Sequence, residues 1–584
     1  MSEKIVSPGV FTRENDLSYL PQGIGEIGAA IIGPTVKGPA GVPTYVSSYS
    51  DFQTYFGDTF KSGSQYYQFL TSHAAQQYFK YGNVLLVTRI LAGDYAPAQS
   101  YVPSSGSWDD ESAVDAAFTL TTLGDGAIMN SSGSEGTNNV LANGTKDNIR
   151  WEISNVNTTK GTFSLLIRRG NDSIKRPVIL ESWNDLTLDP NSSNYIAKRI
   201  GDQTMTLVDE AGMPFLQASG EYPNKSKYVR VTVNKFTVDY LDENGAVRVP
   251  AASASLPHLG VSGSFYSGSD GTVANPRLMY GDIEQNNSQG YDLGVGTDAT
   301  NMYTKMISLL SNQDDYDFNL LLLPGVISSV HGTIATAAVE MCENRGDAMT
   351  IIDPVVKGST ITDATTVSSG YDSSYATMYW SWLQIPDLSL GKNVWVPASV
   401  VVPAAYAFND KVAAEWFAPA GLNRGGLESV IQCERKLTRL NRDDMYDASL
   451  NPIATFPREG IAIWGQKTLQ KKASALDRVN VRRLLITTKK YLASMSRYLV
   501  FEQNTAATRL RFLNIANPYF ESIQQRQGLY AFKVVMDETN NTPDVIDRNQ
   551  LRGQIYLQPA RTAEFIILDF NVMPTGAVFP GDEK

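Results

Sequence analysis

The apolar residues of this chain follow two patterns, which replace one another along its length. In the first 92 residues and again past residue 300, short continuous apolar runs alternate with segments of helical periodicity. Strands that are buried on both faces are predicted at 29–32, 84–89, 318–323 and 349–352, and helices at 51–56, 65–81, 332–343 and 404–414. This alternation predicts a mostly parallel or mixed sheet covered by helices, which residues 43–46, 375–382 and 394–396 extend.

Between residues 92 and 276 the pattern changes to short runs in which apolar and polar residues alternate. Such runs occur at 118–121, 163–167 and 228–233, and Ser, Gly, Asn, Thr and Asp dominate the stretch. The triplets at 170–172 and 243–245 are typical of hairpin turns. We therefore expect a β-rich insertion, in one or two pieces, on the outside of whatever the protein builds.

One helix in the last third of the chain is marked by its own residues. Ser474 and Asp477 have the spacing of a capping box at a helix start. The apolar residues that follow share one helical face: Val481, Leu484, Leu485, Leu492, Met495 and Leu499. Two basic rows repeat every seven residues along the remaining surface: Arg482 with Lys489, and Arg483 with Lys490 and Arg497. These rows are either a solvated polar face or a docking stripe for an acidic partner.

Charge is distributed unevenly along the chain. The 584 residues carry a net charge of −11, which argues against a general nucleic-acid binder. Residues 424–497 nevertheless hold 15 Lys or Arg and 7 Asp or Glu, so this segment carries +8 and the remainder −19. Such segregation favours complementary contact between subunits or with a second protein. Aromatic residues are not interleaved on the basic face, as single-stranded nucleic acid would require.

Segments near both ends of the sequence can form strands but have no core of their own. Within the first 25 residues, rich in Gly, Pro and polar residues, a short extended patch follows a Pro-Gly pair: Val10, Phe11 and Thr12. Strands are also predicted at 531–536, 553–557 and 564–572. The last of these places four residues on one face: Ile566, Leu568, Phe570 and Val572. Such end segments are either frayed or held by addition to a sheet edge.

Candidate chemistry is sparse. Residues 23–28 fit G-x-G-x-x-G literally, but a dinucleotide site needs a strand before the glycines and a helix after them, and here an apolar strand follows. The three histidines are accompanied by no G-x-S-x-G elbow, and the sequence contains no G-x-x-x-x-G-K-[ST] loop. We therefore expect no enzymatic activity, cofactor or metal site.

Two cysteines, Cys342 and Cys433, exclude a disulfide framework. The first residues contain no apolar segment of a secretory signal, and no apolar run reaches the ~18 residues of a membrane helix. We expect the protein to be assembled in the cytoplasm where it is translated, without membrane contact.

A series of short motifs is the most specific feature of the sequence. Its members are PAGLNRG at 419–425 with Asn423, Arg424 and Gly425, NPI at 451–453, IWG at 463–465, NVRRL at 480–484 with Asn480, Arg482 and Arg483, and NTP at 541–543. SPGV at 7–10, YGN at 81–83 and DRN at 547–549 accompany them. In this order the motifs closely resemble the core of contractile tail sheath proteins, the outer cylinder of phage tails and related injection machines. The resemblance covers roughly residues 5–91 and 301–579.

The resemblance implies a multidomain fold of α/β and α+β parts. An α/β sheath core is expected at 26–92 and 300–415, and a C-terminal domain with a mixed sheet at 416–562. A β-rich outer domain at 93–299 is inserted into the core. Linking arms are expected at 1–25 and, with a strand, at 563–584.

The family's known behaviour also implies a function. Its sheath subunits stack as hexameric rings around an inner tail tube, and the sheath contracts by rigid-body rearrangement to drive the tube through the host envelope for genome delivery. Arms of neighbouring subunits add strands to another subunit's C-terminal sheet, which assigns joints to residues 10–12 and 565–579. The basic helix with Arg482, Arg483, Lys489, Lys490 and Arg497 is the candidate for gripping the tube. Baseplate and tail terminator proteins are further implied partners of a virion component.

Two alternatives stay open. A non-phage contractile injection system could use such a sheath, although those sheaths are often compact or split, and a single long chain with a large insertion looks more like a phage tail. A non-contractile surface-array protein would explain the acidic β-rich insertion and the end segments, but an exported layer should carry a signal sequence.

Overall fold

The computed structural model describes residues 28–62, 65–104, 115–131, 140–173, 175–272 and 283–564. The described residues fall into two units. The first contains residues up to 415 together with 419–500, and the second contains 416–418 and the residues from 501 onward.

The first unit begins with part of an α/β sheet. Its elements are β1 (Ala29–Gly33), β2 (Thr44–Val46), α1 (Tyr49–Phe56), β3 (Thr59–Ser62), β4 (Gln65–Gln68), α2 (Leu70–Tyr78) and β5 (Leu85–Arg89). The strands predicted at 29–32, 43–46 and 84–89 are confirmed. The helix predicted at 65–81 is wrong at its start, because β4 forms an antiparallel hairpin with β3. Ring contacts of Phe60 with Tyr67 and Phe69 stabilise that hairpin, with centroids 5.7 and 5.2 Å apart.

Residues 95–270 consist mainly of strands. The elements are β6 (Tyr95–Pro103), β7 (Ala116–Asp125), β8 (Ile149–Asn157), β9 (Thr162–Arg169), β10 (Ile179–Thr187), α3 (Ile196–Ile200), β11 (Thr204–Glu210), β12 (Met213–Ser219), β13 (Val229–Val233), β14 (Ser262–Ser264) and β15 (Ser269–Asp270), with 3-10 turns at Ala127–Met129 and Pro250–Ser255. Two four-stranded antiparallel sheets, β13-β7-β6-β15 and β10-β9-β8-β14, share one core. Phe118 and Phe163 stack between them, with centroids 5.5 Å apart.

The chain then returns to alternating strands and helices. The elements are α4 (Asp298–Leu309), β16 (Leu320–Ile327), α5 (Gly332–Arg345), β17 (Met349–Asp353), α6 (Ile361–Ser369), β18 (Ala376–Trp380), β19 (Leu383–Asp387), β20 (Lys392–Val396), α7 (Ala398–Val412), β21 (Gln432–Cys433), α8 (Arg439–Asp447), β22 (Asn451–Phe456), β23 (Gly460–Ile463) and α9 (Val479–Ser496), with 3-10 turns at Ala475–Asp477 and Arg497–Leu499. The second unit contains α10 (Ala506–Gln525), β24 (Leu529–Val535), α11 (Pro543–Asp547) and β25 (Gln554–Pro559).

One eight-stranded mixed sheet organises the first unit, in the order β2-β5-β1-β16-β17-β18-β22-β23. Its six inner strands are parallel, and the edge strands β2 and β23 are antiparallel to their neighbours. The predicted mixed sheet and the unit β16-α5-β17 are confirmed. The prediction that residues 394–396 extend this sheet is wrong, because β20 pairs with β19 in a separate three-stranded sheet.

Both faces of the eight-stranded sheet are buried. In β1, Ala29 and Ile31 point to one face and Ala30 and Ile32 to the other, and all four are at most 1% exposed. Helices α2, α7 and α9 cover the first face, while α4 and α5 cover the second. This two-sided burial explains the continuous apolar runs, because a strand between two helical layers has no side for polar residues.

Two boundary predictions differ from the structure. Ser474 caps the 3-10 turn Ala475–Asp477 by accepting from the Leu476 N–H at 3.1 Å, so α9 begins only at Val479. α9 also packs in the core of the first unit through Val479 and Ile486. Residues 419–500 therefore belong to the first unit, whereas the C-terminal domain expected from the sequence spans 416–562 without a break. The burial of α9 against the sheet, which periodicity alone does not show, is the reason.

The β-rich stretch leaves and rejoins the α/β part side by side. Ala92 and Gly271 form a parallel bridge, and the Thr272 N–H donates to the Ala92 carbonyl at 2.7 Å. A Cβ on Gly271 would lie 2.1 Å from that carbonyl oxygen, so the approach requires glycine.

Arg89 holds the two parts together beside this bridge. Its Nη1 donates to the carbonyl oxygens of Gly38 at 2.6 Å and Asp125 at 2.7 Å. Arg89 ends β5 and Asp125 ends β7, so one buried guanidinium joins the sheet to the β-rich stretch.

Both cysteines, Cys342 and Cys433, are free and buried, as the absence of a disulfide framework requires. Among the helices described, none has the length and apolar character to cross a lipid bilayer.

Asp353 is a buried carboxyl group at the end of β17. It accepts hydrogen bonds from the backbone N–H of Ser399, at 3.0 Å, and from the Ser399 hydroxyl at the start of α7. Burial raises the pKa of Asp353 to about 7, although both hydrogen bonds act to lower it.

We predict that Asp353→Asn weakens the pH dependence of stability. Between the ordinary carboxyl value of 3.8 and about 7, the folded state holds the Asp353 proton more tightly than the unfolded chain. The contribution of this group to the free energy of unfolding therefore falls as the pH rises through that window and is constant above it. One pKa unit corresponds to about 1.4 kcal/mol, so the full effect is at most about 4 kcal/mol.

Thermal melting from pH 4 to pH 8 measures this effect. The melting temperature of wild type relative to Asp353→Asn should decline up to about pH 7 and then level. Asp443→Asn, which removes an exposed carboxylate, is the control for the loss of one charge. Parallel melting curves for wild type and Asp353→Asn would contradict the assignment.

Candidate assembly surfaces

The second unit is built on α10 and the hairpin of β24 and β25. α10 points one apolar residue inward at almost every turn: Phe512, Ala516, Phe520 and Ile523. The ring of Phe520 stacks on that of Phe532 in β24, with centroids 5.4 Å apart. The helix therefore covers one face of a two-stranded sheet.

Trp416 joins this unit from earlier in the chain. Its Nε1 donates to the Arg526 carbonyl at 3.1 Å, and the Arg526 guanidinium lies over its ring, 4.7 Å from the centroid. A Cβ on Gly528 would lie 3.0 Å from the same ring, so the turn after α10 closes on the indole.

The hairpin of β24 and β25 has open edges. Phe532 pairs with Leu557 and Val534 with Ile555 in an antiparallel register. Within the described part of the chain, no third strand pairs with either strand. The side chains of Tyr530 and Tyr556 are 63% and 57% exposed. A two-stranded sheet is only marginally stable by itself, and its outer N–H and C=O groups are the kind of surface that accepts a further strand.

One buried side chain fixes the connection between these two strands. Asn541, 2% exposed, accepts from the Arg552 N–H and donates to the Arg552 carbonyl, both at 2.8 Å. It also donates to the Asp537 carbonyl at 3.1 Å. Thr542 then precedes α11, in which Pro543 takes the first position, where its missing N–H costs nothing. The NTP motif thus positions β25 beside β24.

The residues predicted to link subunits lie outside the described residues. They are Val10, Phe11, Thr12, Ile566, Leu568, Phe570 and Val572. The structure therefore describes the sheet that would accept a strand, and the assignment of these segments as joints stays a prediction.

The PAGLNRG motif lies along the outer edge of β23. The Gly421 N–H donates to the Ile463 carbonyl and the Ile463 N–H to the Gly425 carbonyl, both at 2.8 Å. A Cβ on Gly425 would lie 2.7 Å from backbone of the same loop, so the loop closes this tightly only with glycine. Asn423 is exposed and Arg424 half-buried. The motif covers an edge of the eight-stranded sheet that would otherwise be open.

The NVRRL motif holds α9 against the first unit. Arg482 is 4% exposed and lies over the Tyr375 ring, with Cζ 4.0 Å from the centroid. Arg483 is 7% exposed, and its two terminal nitrogens donate to the two carboxylate oxygens of Asp410 in α7, one of them at 2.8 Å. Asn480 is also buried. These residues act within the chain.

Lys490, two turns after Arg483 in α9, is buried as well. It is 8% exposed, and its Nζ donates to the Asp317 carboxylate and the Phe318 carbonyl, both at 2.5 Å. The interpretation of α9 as an exposed docking stripe is therefore wrong for Arg482, Arg483 and Lys490. Their charged groups interact with residues of other elements, namely Tyr375, Asp410 and Asp317. The periodicity of α9 alone does not show these contacts.

Two of the five predicted basic residues remain at the surface. Lys489 is exposed, and its Nζ donates to the Tyr375 hydroxyl at 3.1 Å. Arg497 pairs with Asp314 at 2.7 Å, and the two side chains are 65% and 80% exposed. An ion pair this exposed contributes about 0–1 kcal/mol.

A buried polar network lies beneath α9. The hydroxyls of Tyr379 and Tyr406 are 2.6 Å apart, and Glu415 accepts a hydrogen bond from Thr487. Burial raises the pKa of Glu415 to about 7, while the nearby positive charge of Arg483 acts to lower it. Burial likewise raises the pKa of Tyr379 to about 12. In this environment Glu415 and Tyr379 are favoured in their neutral or hydrogen-bonded forms. We therefore interpret the network as structural.

The central and C-terminal parts of the chain match two protein family models. Residues 298–469 match the family model of the phage tail sheath protein central domain, and residues 471–573 that of the phage tail sheath C-terminal domain. The tail sheath protein of Vibrio phage KVP40 is 38% identical over 231 residues, which are 39% of this chain and 33% of that protein. The tail sheath protein of Enterobacteria phage T4 is 38% identical over 187 residues, 32% of this chain and 28% of that protein. The chain thus spans about a third of the length of these relatives.

A solved structure shares the fold. The crystal structure of the sheath tail protein from Listeria innocua aligns over 92% of this chain and 96% of its own, with a TM-score of 0.52 at 11% identity.

We predict that Arg483→Gln destabilises the first unit by about 2–4 kcal/mol, because it leaves the Asp410 carboxylate without its bidentate partner in a mostly buried site. The matched control is Arg497→Gln, which breaks the exposed pair with Asp314 and should cost about 1 kcal/mol or less. Chemical denaturation followed by tryptophan fluorescence measures both. Equal effects of the two substitutions would show that α9 is not held by the buried pair.

We also predict that Asn541→Ala loosens the hairpin, because the Arg552 N–H and carbonyl lose their partner at a buried position. Each unsatisfied buried group costs about 1–3 kcal/mol. Hydrogen exchange at 529–535 and 554–559 should become faster, with little change in the eight-stranded sheet. Gln558→Ala, which removes an exposed side chain of β25, is the control and should leave exchange unaltered.

Proposed function

We propose, from the premise that residues 298–573 of this chain belong to the contractile tail sheath family, that the chain is the structural subunit of a contractile phage tail. Its copies stack as hexameric rings around an inner tail tube. The sheath then contracts by rigid-body rearrangement, drives the tube through the host envelope and so delivers the genome. The protein has no catalytic role in this process and uses no cofactor.

The proposed partners follow from that role. They are further copies of the chain, the inner tail tube protein, and baseplate and tail terminator proteins, with no direct contact to nucleic acid or membrane. The protein is a component of the virion that is assembled in the host cytoplasm. The inserted β-rich stretch is proposed to lie on the outside of the cylinder.

The observation that carries the proposal is the open hairpin of β24 and β25. Its edges offer backbone donors and acceptors. Residues 10–12 form a short extended patch in the sequence, and residues 566–572 have the alternating pattern of a strand. We propose that these segments from other copies complete the hairpin into a larger sheet. Each added backbone hydrogen bond contributes about 0.5–1.5 kcal/mol, so a strand of a few residues joins two copies firmly.

Strand addition also suits a lattice that changes shape. Backbone hydrogen bonds within a completed sheet do not depend on the orientation of the rest of the subunit. Linkers that contain Gly and Pro can absorb the change in dihedral angles while the sheet moves as one body. The free energy of contraction then lies in contacts between subunits, and nucleotide hydrolysis is not needed.

A sheath from a non-phage injection system is the second candidate. The phage assignment is favoured because both relatives at 38% identity are tail sheath proteins of phages.

Deletion of residues 1–25, or of 565–584, is predicted to abolish tube formation by the purified protein, because either deletion removes a proposed donor strand. Negative-stain electron microscopy measures the outcome, with hollow striated tubes expected for the full chain. Circular dichroism and melting temperature verify that each truncated chain still folds.

The opposite result would be decisive. Ordered tubes formed by a chain that lacks both end segments would refute strand addition as the link between copies. Flat lattices from the full chain would indicate a surface array instead of a sheath.

A further inference from the structure

Helix α8 carries its charges in the opposite order from that which stabilises a helix. Its first turn holds Arg439 and Arg442, and its last turn holds Asp444 and Asp447. The helix dipole favours acidic residues at the N-terminal end and basic residues at the C-terminal end, so this order is unfavourable for the helix itself. The helix is held instead by a capping box at Thr438 and by packing of its buried face. The helix dipole therefore does not account for the order of these charges.

The N-terminal end of α8 belongs to an exposed cationic surface. We define this surface by four side chains: Arg435, Lys436, Arg439 and Arg458. The turn between β22 and β23, which contains Arg458, adjoins α8, because the Arg442 guanidinium lies 5.4 Å from the ring centroid of Phe456. Within the described residues, none of the four lies within 4.0 Å of a carboxylate. All four side chains are exposed, and the exposed carboxylates of Asp443 and Glu459, close to them in sequence, lie beyond 4.0 Å.

The C-terminal end of α8 lines an anionic groove. This groove, about 700 Å³ in volume, lies between α6 and α8 and is lined by the carboxylates of Asp444 and Asp447 and by hydroxyls of α6 such as Thr362 and Thr366. No basic residue is among its lining residues. Carboxylates and hydroxyl oxygens are hydrogen-bond acceptors, and the N–H groups of Arg and Lys are their natural donors. The groove is therefore chemically complementary to the cationic surface.

The two surfaces cannot satisfy each other within one chain. They lie at opposite ends of a helix of nine residues, and eight steps of about 1.5 Å separate its first and last residues by about 12 Å. Contact between the surfaces therefore requires a second molecule that carries the complementary charge. A second copy of this chain carries both.

We propose that α8 is a head-to-tail electrostatic contact between copies, in which the cationic surface of one chain sits against the anionic groove of the next. This inference rests on the proposed function, since it concerns the contacts of an assembled sheath. A contact between two different surfaces leaves one of each free at the ends, so it extends into rings or filaments. Exposed ion pairs are individually weak, so they can separate and form again when subunits move.

The test uses two full-length variants with reversed charges. The first is Arg435→Glu with Arg439→Glu, and the second is Asp444→Lys with Asp447→Lys. The first variant leaves the cationic surface with two positive and two negative charges, and the second gives the groove two positive charges that face an unchanged cationic surface. The attraction is thus lost in each variant alone, and the critical concentration for tube formation should rise about tenfold or more. A matched control, Lys471→Glu with Lys472→Glu, changes the net charge as the first variant does but at exposed residues outside the surface, and it should assemble as wild type does.

Mixing provides the discriminating measurement. In an equimolar mixture of the two variants the substituted positions of unlike chains again carry opposite charges, so tubes should return at a concentration closer to that of wild type. A single chain with all four reversals should also assemble. Light scattering and electron microscopy measure assembly, and melting curves show that each variant folds.

Each alternative outcome decides the question. If wild type forms tubes and both variants do so equally well, the head-to-tail contact is refuted while the proposed function stands. Failure of the mixture to restore tubes, or restoration of closed dimers only, also refutes it. If the variants form normal empty tubes but no longer enclose the inner tube protein, the cationic surface faces that protein and not a second copy. If wild type forms no tubes, the proposed function fails and this inference fails with it.

Discussion

The unpaired backbone groups at a sheet edge are the constraint on which the rest of this structure depends. An edge strand presents N–H and C=O groups that must bind water, the same chain or another chain. At β23, the edge of the eight-stranded sheet, the chain satisfies these groups itself. The N–H and carbonyl of Ile463 pair with the Gly425 carbonyl and the Gly421 N–H. The hairpin of β24 and β25 leaves its edges open within the described residues. One edge of the eight-stranded sheet is thereby covered by its own chain, whereas the hairpin has no third strand among the described residues.

Charged side chains divide in a similar way between internal and external roles. Arg483 and Lys490 are buried, and each is matched by a carboxylate, so they fix α9 on the first unit. Arg435 and Arg439 are exposed, and in the described structure neither has a carboxylate within 4.0 Å. The excess of positive charge in residues 424–497 is therefore not one surface. Arg482, Arg483 and Lys490 are buried and concern packing, and only the exposed basic residues are accessible to partners.

Sequence patterns predicted the elements that are buried on both faces. They failed where contact with a residue distant in the sequence determines the conformation or the burial. Strand β1 was predictable because both of its faces are buried, so its run is continuously apolar. The helix predicted at 65–81 wrongly included Gln65–Gln68, whose conformation is decided by pairing with β3. The burial of Arg483 depends on Asp410, 73 residues earlier, which no local pattern reveals. α10 escaped prediction because Arg509 is buried and Pro518 interrupts its helical pattern. The open hairpin edges required knowledge of the sheet order.

The narrow entry and exit of the β-rich stretch have a consequence for how such chains vary. The chain enters and leaves this stretch side by side, at the bridge between Ala92 and Gly271. Arg89 links the two crossings to the sheet through hydrogen bonds to the Gly38 and Asp125 carbonyls. Because the crossings are adjacent, a change in the length of the chain between them does not by itself move the ends of the sheet strands, although Leu207 and Leu216 of this stretch also pack against the core of the α/β part. Length differences among relatives are therefore expected to accumulate in this side branch, while the sheet beneath it stays the same size.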